Sequence, residues 1–409
     1  MCCQVKIVNS QFNPHEAGGK VARNERIGAR PLVSCILYRS TSRLRKNRQI
    51  APFHSRKRHQ KQLTYYTKKA IPLTPKIEVA EIAPLLSHWG IEPLELKAVP
   101  GGLSGARIWR VSHEGHEYCL RCWPVNHPSP DQLRTIHQLI EHVRHLGITS
   151  VPKPYRTLTG NTFLSNGGHL WELTAWLAGQ PLGSHSSNEQ QRIAACETLA
   201  RFHLAAASFG PANLGVKREP APGLLRRRDL LAELLQGRLA ELFQAVHDEP
   251  RSPTRETLLE LLSRIERILP GATATVEHCA SIPLPLQWCL RDVHPGNVLV
   301  IGTQVTGIVD FGAVAIDSVA GDIARLVGGL QCERADRQKC FSAYARLRPL
   351  TNDELRSIAA FHVGGLILSA TNWIRWICIE HTVSLANTTQ ARLEELLRQI
   401  TLIGDWNMQ

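Results

Sequence analysis

The feature that most constrains this chain is a short strand–turn–strand pattern set among helical patterns. Residues 297–301 and 306–310 are rich in Val and Ile and flank turn residues 302–305, which predicts a β-hairpin. Apolar residues recur at helical spacing through the rest of this half of the chain. We predict helices over residues 188–206, 229–246, 255–268, 353–379 and 389–400.

The preceding part of the chain is dominated by strand-like alternation. We predict a β-rich N-lobe over residues 77–174, and a connector near 174–179 that leads into a larger helical lobe over 175–409. The fold class is therefore α+β and two-lobed, with a cleft at the connector. The predicted elements of the N-lobe are strands at 94–99, 107–112, 115–122 and 169–174 and a helix at 131–145.

Three polar side chains are predicted to converge at the open end of the hairpin. Positions 297 and 310 lie symmetrically about the centre of the turn, so Asn297 and Asp310 would emerge side by side. An amide oxygen and a carboxylate are hard ligands that suit Mg²⁺ bound to phosphates. Asp292, on the preceding loop, is suited to accept a hydroxyl proton. Phosphoryl transfer needs this combination of metal and positioned base.

The competing interpretation is a Pro-Gly loop with a capping aspartate and a chance Asp-Phe-Gly sequence. It explains each element taken alone. It does not explain why Asp292, Asn297 and Asp310 occur at these spacings around one hairpin.

The stretch Asp292-Val-His-Pro-Gly-Asn297, followed by Ile308-Val-Asp-Phe-Gly312, resembles the signature of the aminoglycoside phosphotransferase/choline kinase-like family. These proteins are relatives of protein kinases, and the resemblance covers about residues 90–400. It implies a protein kinase-like fold that moves the γ-phosphoryl group of ATP to a small-molecule hydroxyl. It also implies that Asp292 is the catalytic base and that Asn297 and Asp310 hold Mg²⁺.

Two residues near this signature bear on the resemblance. Asp322, in Gly321-Asp-Ile-Ala-Arg-Leu326, is similar to the family's aspartate that braces the catalytic loop; the alternative is an ordinary acid at a helix N-terminus. Leu290 departs from the family, which usually has His two residues before the catalytic aspartate. The hydrogen bonds of that His must therefore come from elsewhere.

A glycine-rich segment between the first two strands is a candidate phosphate-binding loop, because backbone N–H groups can approach phosphates where no Cβ intervenes. A plain turn is the alternative. Arg121 holds the place at which kinase-like folds present a cation to the α- and β-phosphates; a surface arginine is the alternative. The connector should contact adenine. The predicted nucleotide-binding residues are Gly101, Gly102, Ser104, Gly105, Arg121, Thr174 and Trp176.

Other residues are singled out without a settled role. Glu141 is the one acid well inside the helix at 131–145, so it is a candidate partner for Arg121, although an exposed position is equally compatible. His203 resembles a recurring helix motif of the family, but a structural histidine is favoured. Trp373 and Trp376 would either stack on a cationic acceptor or belong to the helix core, which we favour.

The basic charge of the chain belongs to its first 76 residues, which carry 17 Lys and Arg against Glu16 and Glu25. The remainder holds 31 basic and 33 acidic residues. We predict a disordered extension. Three interpretations compete: a nucleic-acid-binding arm, a targeting segment and, as we favour, upstream sequence that contributes nothing to the fold.

The eleven cysteines are odd in number and lie in apolar contexts, which is typical of free thiols in a cytoplasmic protein. Cys119 and Cys122 have no second pair at zinc-site spacing. We expect no secretory signal and no apolar run of the roughly 18 residues that a membrane span needs.

Three functions remain open at this level. The favoured one is an active small-molecule kinase, for which aminoglycosides, choline or ethanolamine, homoserine and sugars all fit as acceptors. The second is a catalytically impaired, kinase-like nucleotide-binding protein, which the departure at Leu290 would favour. The third is a nucleic-acid-associated protein acting through its basic extension. The sequence does not indicate an oligomeric state.

Overall fold

The computed structural model describes residues 79–99, 105–125, 127–184, 186–210, 218–383 and 387–403. All of them belong to the unit Tyr65–Gln409. The predicted basic extension, residues 1–76, lies outside the described residues. So do Gly101, Gly102 and Ser104 of the predicted phosphate-binding loop.

An antiparallel five-stranded sheet forms the first layer, in the order β1-β2-β3-β5-β4. Helix α1, Val79–Leu86, supplies apolar residues to the same core as the sheet. Trp109 and Trp171 stack inside this core with their ring centroids 5.7 Å apart. The strands are β1 Glu95–Val99, β2 Arg107–His113, β3 His116–Cys122, β4 Leu164–Asn166 and β5 His169–Ala175.

Helix α2, Pro130–His145, connects β3 to β4. Ser129 and Gln132 form a capping box at its start, which satisfies backbone N–H groups that the helix leaves without partners. The apolar face predicted from the sequence is the buried one, and it comprises Leu133, Ile136, Ile140 and Val143.

The connector after β5 crosses directly over the predicted hairpin. Its short strand β6, Gln180–Pro181, pairs with β10, Val298–Ile301, which pairs in turn with β11, Gln304–Ile308. Gly179 lies at the crossing with a φ of +131°. A Cβ there would approach the Thr306 Oγ1 to 2.6 Å and the Val300 carbonyl oxygen to 3.0 Å. The crossing therefore requires glycine.

The remaining elements build a mainly helical region with four short strands. The helices share one continuous apolar core with the hairpin and with Leu290 and Val293, which precede it. The helices are α3 Glu189–Ala206, α4 Pro222–Glu233, α5 Leu239–Asp248, α6 Pro253–Ala280, α7 Val319–Gly329, α8 Arg334–Leu347, α9 Asn352–Cys378 and α10 Asn387–Thr401; the strands are β7 Arg218–Pro220, β8 Pro283–Pro285, β9 Gln287–Cys289 and β12 Ala315–Asp317.

Two helix predictions were wrong in extent, and two further helices were not predicted. The helix predicted over 229–246 is two helices, because Gly237 adopts a φ of +127° between α4 and α5. Helix α6 continues through Pro270, before which the prediction ended, to Ala280. Burial of its apolar face on both sides of that proline offsets the lost hydrogen bond. Helices α7 and α8 were not predicted.

Helix α9 is, by length and composition alone, apolar enough to cross a membrane, which the sequence expectation had excluded. In the structure, 56% of its most apolar window is buried inside the protein. Its buried side chains belong to the main apolar core. A core helix passes the same test, so this is weak evidence for a membrane span.

We predict that His362, buried on α9, makes the fold acid-sensitive. Burial lowers the pKa of His362 to about 3, and the charge of Arg337 adds to the effect. In the unfolded chain the pKa of a histidine is about 6.5. Burying the neutral imidazole therefore costs no stability above pH 6.5, and the free energy of unfolding decreases as the pH falls from 6.5 toward 3. At pH 5 the loss should be about 2 kcal/mol.

Urea denaturation between pH 7 and pH 5 measures this dependence. His362→Gln should flatten the decline in the free energy of unfolding, whereas His247→Gln, at an exposed position on α5, should leave it steep. An equally steep decline in His362→Gln would contradict the assignment.

Candidate active site

The loop between β9 and β10 carries Asp292, and helix α7 holds one of its carboxylate oxygens. Arg325 donates from Nε and Nη2 to Asp292 Oδ1, over 3.1 and 2.9 Å. The Asp292 side chain is 42% exposed. Within the part of the chain that the structure describes, Asp292 Oδ2 has no hydrogen-bond donor. Asp292 therefore combines a fixed orientation with an oxygen that can accept a proton.

Asn297 ends a 3-10 turn, Pro295–Asn297, directly before β10. Its Nδ2 donates to the backbone carbonyl of Asp292 over 2.9 Å. A carbonyl oxygen only accepts, so this contact fixes which way the amide faces. No described residue donates to Asn297 Oδ1, which is left to serve as a ligand.

The register of the hairpin differs by one residue from the predicted one. The turn is only Gly302-Thr303, and Thr306 on β11 is an extra residue opposite the step from Leu299 to Val300 on β10. As a result Asn297 faces Val309, whose N–H donates to the Asn297 carbonyl over 2.9 Å. The predicted pairing of position 297 with position 310 was wrong, because the turn is centred one residue earlier than assumed and the extra residue on β11 corrects only half of the resulting shift. Asp310 is the next residue along the chain.

Asp310 bends the chain out of the hairpin with a φ of +66°. Its Oδ1 accepts from Arg121 Nη1 over 3.1 Å. Asp310, the predicted metal ligand, and Arg121, the predicted phosphate-binding cation, are thus in direct contact. The Arg121 guanidinium lies over the ring of Trp123, 4.7 Å from the ring centroid. Gly312 leaves room for that ring, because a Cβ at this position would lie 3.1 Å from it.

The acid that partners Arg121 comes from strand β5, not from helix α2. Glu172 Oε1 lies 3.6 Å from Arg121 Nε, and its Oε2 lies 2.6 Å from the Nε2 of His137 on α2. Burial opposes the charge of Glu172, but the hydrogen bond from His137 and the charge of Arg121 hold its pKa below the usual value. Glu141, the sequence candidate, pairs instead with the exposed Arg156.

Asp322 braces the catalytic loop from within the core. Its carboxylate is fully buried and accepts from the backbone N–H groups of Leu290 and Arg291, over 2.7 and 2.6 Å. His203 Nε2 contacts the same carboxylate at 3.0 Å, and His203 Nδ1 contacts the Tyr344 hydroxyl at 2.7 Å. The loop is therefore fixed through its backbone, and the side chain of Leu290 is free to fill the core. His203 is structural, as favoured.

The start of the connector is hydrogen-bonded to neighbouring segments on both sides, since Thr174 lies between Cys119 and Pro154. Thr174 lies in β5 opposite Cys119, and the N–H of Trp176 donates to the Glu117 carbonyl over 3.1 Å. The Trp176 ring contacts the guanidinium of Arg110 at 5.2 Å. The adenine contacts predicted for Thr174 and Trp176 stay predictions.

Two further sequence candidates have ordinary surroundings. Gly105 has a φ of +75° at the start of the segment leading into β2, a conformation that favours glycine. Trp373 and Trp376 pack edge to face with centroids 5.7 Å apart, and Trp373 contacts the main apolar core. The helix-core interpretation of these tryptophans is the better supported one.

The residues present fit a magnesium ion. Among the described residues, none donates a hydrogen bond to Asn297 Oδ1 or to Asp310 Oδ2. Both oxygens are therefore available as metal ligands, and Mg²⁺ prefers hard oxygen ligands. The structure brings Asn297 into contact with Asp292 and Arg121 into contact with Asp310; their roles as base, metal ligands and phosphate-binding cation stay predictions. Sequence reasoning missed Arg325, Glu172 and His137. Arg325 lies inside the quoted Gly321–Leu326 stretch, but nothing in the sequence placed it against Asp292.

Comparison with known proteins agrees with this geometry. Residues 95–350 match the model of the phosphotransferase enzyme family. A protein named homoserine kinase, from Rhodopseudomonas palustris, is 25% identical over 311 residues, which cover 73% of this chain and 84% of that protein.

Two solved structures share the fold. An aminoglycoside phosphotransferase from Alicyclobacillus acidocaldarius superposes with a TM-score of 0.55 at 18% identity, covering 81% of this chain and 93% of that one. A spectinomycin phosphotransferase in complex with ADP and spectinomycin superposes with a TM-score of 0.60 at 13% identity, covering 80% and 99%. The two-lobed, kinase-like α+β prediction is confirmed.

Proposed function

Because the chain belongs to the phosphotransferase enzyme family, we propose that it is a Mg²⁺-dependent kinase that transfers the γ-phosphoryl group of ATP to a small-molecule hydroxyl. Its relatives named homoserine kinase and its structural neighbours that phosphorylate small molecules favour an alcohol as the acceptor. The observation that carries the proposal is that two contacting pairs, Asn297 with Asp292 and Asp310 with Arg121, are brought next to one another by the hairpin bond from the Val309 N–H to the Asn297 carbonyl.

Each of these residues has one task in the reaction. Asp292 Oδ2 accepts the proton of the acceptor hydroxyl while Arg325 holds the other carboxylate oxygen in place. A bond forms between the acceptor oxygen and the γ-phosphorus as the bond from that phosphorus to the β,γ-bridging oxygen breaks, and ADP leaves. Arg121 offers its charge to the donor phosphates.

The metal would be held by Asn297 and Asp310, where it would neutralise charge on the phosphates. Arg121 remains charged for its task, because the nearby carboxylates of Glu172 and Asp310 raise its pKa although burial opposes its charge. Gly105 and the adjoining Gly101, Gly102 and Ser104 are proposed to cover the phosphates.

The catalytically impaired alternative is less well supported. It was motivated by Leu290, where the family usually has His, yet Asp322 holds that loop through two backbone N–H groups. Asp322 thus gives the loop the support that the family's His would give.

The nucleic-acid role concerns residues 1–76 and stays a prediction. The division of the chain at residues 77 and 175 and a cytoplasmic location stay predictions as well. The eight described cysteines are free thiols, which agrees with that location.

The proposal is tested by measuring ADP release with a panel of alcohols. We expect release to require both Mg²⁺ and an acceptor, and chelation of the metal to abolish it. Asn297→Ala should raise the Mg²⁺ concentration for half-maximal rate by at least about tenfold, since loss of even an outer metal partner costs about 10–100-fold.

Asn352→Ala, at an exposed position at the start of α9, is the matched control and should keep the Mg²⁺ requirement of the natural chain. If ATP were bound but no alcohol accelerated ADP release above the acceptor-free rate, the chain would be a nucleotide-binding protein and the proposed reaction would be wrong.

A further inference from the structure

Two arginine side chains approach the buried carboxylate of Asp317, at the end of β12. Arg291 Nε lies 3.3 Å from Asp317 Oδ2. Arg227, on α4, comes near the same oxygen, because a Cβ at Gly223 would lie 2.5 Å from Asp317 Oδ2 and 3.2 Å from Arg227 Nη1. Arg291 directly precedes Asp292 in the chain. These contacts therefore link Arg227 to the loop that carries the proposed base.

Contacts with α4 and α9 fix the position of the Arg227 guanidinium. Its Nη1 donates to the Gly223 carbonyl over 2.9 Å, and its central carbon lies over the ring of Phe361, 4.9 Å from the ring centroid. A Cβ at Gly321, on α7, would lie 3.1 Å from the same ring. Gly321 and Arg325 lie four residues apart and so share one face of α7. A single aromatic ring thus joins Arg227 to the face of α7 that reaches the base.

The Nε and Nη2 atoms of Arg227 have no acceptor among the residues that the structure describes, and Nε is buried. Both nitrogens face α9 at Gly365, where a Cβ would lie 3.5 Å from Nη2 and 3.7 Å from Nε. Apart from the adjoining residues of α9, no other described atom comes within 4 Å of that point. The edge of the guanidinium that binds carboxylates therefore borders a space that no described side chain fills.

Asp317 does not neutralise both arginines. Its Oδ1 accepts from the backbone N–H groups of Gly223 and Ser318, over 3.2 and 2.9 Å, and its Oδ2 pairs with Arg291. Among the described ion pairs, none joins Asp317 to Arg227. Burial lowers the pKa of Arg227 to about 10; the charge of Asp317 opposes this fall, and those of neighbouring arginines add to it. One negative charge thus faces two positive charges in a partly buried place, which favours the binding of a second anion.

We propose that the Nε–Nη2 edge of Arg227 is a subsite for a carboxylate of the acceptor, and that the missing side chain at Gly365 keeps this subsite open. This inference rests on the proposed function. Arg291 adds a second positive charge between the subsite and the base. A hydroxy acid therefore suits the site, whereas choline would bring a positive charge toward both arginines, which weakens binding.

Gly365→Ala tests the subsite because it fills the space without a clash. The added methyl group would be in ordinary contact with Arg227 Nη2 and Nε and would take the place of the carboxylate. We expect the KM for homoserine to rise at least about tenfold, the effect of losing a hydrogen bond to a charged group, with a smaller change in kcat. Thermal stability should not fall, because alanine favours a helix more than glycine does.

Gly271→Ala is the matched control for this variant. Gly271 lies in α6, and a Cβ there would have no described atom within 4 Å. The control therefore makes the same chemical change in a helix away from Arg227, and its KM and kcat should equal those of the natural chain. An unchanged KM in Gly365→Ala, or an equal rise in the control, would overturn the subsite.

Matched acceptors identify the charge that the subsite recognises. 3-Aminopropan-1-ol is homoserine without the carboxylate, homoserine amide carries a neutral group in its place, and glycerol 3-phosphate carries a phosphate. We expect homoserine to have the highest kcat/KM, and Arg227→Gln to lower this value about 10–100-fold for homoserine alone. Better transfer to glycerol 3-phosphate or to choline than to homoserine would overturn the carboxylate assignment and leave the kinase proposal standing.

A binding measurement separates the failure of this inference from that of the reaction. Calorimetry with ADP and Mg²⁺ present should detect L-2-aminobutyrate, which has the carboxylate but no hydroxyl, and not L-2-aminobutyramide. Gly365→Ala and Arg227→Gln should weaken this binding about 10–100-fold. If neither compound bound, or if both variants bound L-2-aminobutyrate as the natural chain does, the subsite would be wrong. Arg227-dependent binding without transfer to any alcohol would support the subsite and overturn the kinase proposal.

Discussion

Replacing Asp292 with Asn is expected to lower kcat for acceptor phosphorylation by about 10²–10⁴-fold, the contribution typical of a positioned general base. The substitution preserves the size of the side chain, and its amide oxygen can still accept from Arg325. What is lost is the oxygen that takes the hydroxyl proton. Nucleotide binding should therefore remain near that of the natural chain, and the KM for ATP should change little.

Steady-state ADP release and binding of ADP by calorimetry measure the two quantities separately. Asp353→Asn is the matched control and should keep full activity, because Asp353, in the first turn of α9, forms a comparable partly exposed pair with Arg218 of β7. If Asp292→Asn retained more than half of the kcat of the natural chain, Asp292 would not be the general base.

The closeness of Asn297 and Asp310 along the hairpin was predictable because its signal is local. Asn297 and Asp310 flank two β-branched runs, and a hairpin brings the ends of such runs together whatever surrounds it. The exact register was not predictable. The two-residue turn and the extra residue Thr306 on β11 together set the register, and the alternation of side chains indicates neither of them.

The partner of Arg121 was missed for a physical reason. A helix acid was sought, whereas Glu172 lies in the middle of an apolar strand, and its charge is tolerated only because His137 and Arg121 reach it from two other elements. Such three-way contacts depend on how α2 packs on the sheet. Sequence patterns within one element do not contain that information.

The helical region shows the same division between local and long-range information. Helix α9 was predicted within a residue at each end, because a capping box and a sustained apolar pattern define it. The break at Gly237 was missed although it follows a local preference, since glycine readily adopts a positive φ. The passage of α6 through Pro270 goes against the local preference of proline, and burial of the apolar face of the helix offsets it.

Removing the carboxylate of Asp322 is expected to reduce both the stability of the fold and the rate of catalysis. In Asp322→Ala the backbone N–H groups of Leu290 and Arg291 and the ring of His203 lose their common partner in a fully buried place. Truncating one member of a buried charged network costs about 3–5 kcal/mol. The midpoint of urea denaturation should fall accordingly.

The effect on catalysis follows from the same contacts. The residues that Asp322 holds directly precede Asp292, so the base should lose its fixed position, and kcat should fall more than tenfold even where the variant is fully folded. Assays well below the denaturation midpoint separate this loss from unfolding. Asp229→Ala, at an exposed acid on α4, should change the free energy of unfolding by less than about 0.5 kcal/mol. A folded Asp322→Ala with undiminished kcat would mean that the catalytic loop keeps its shape without this brace.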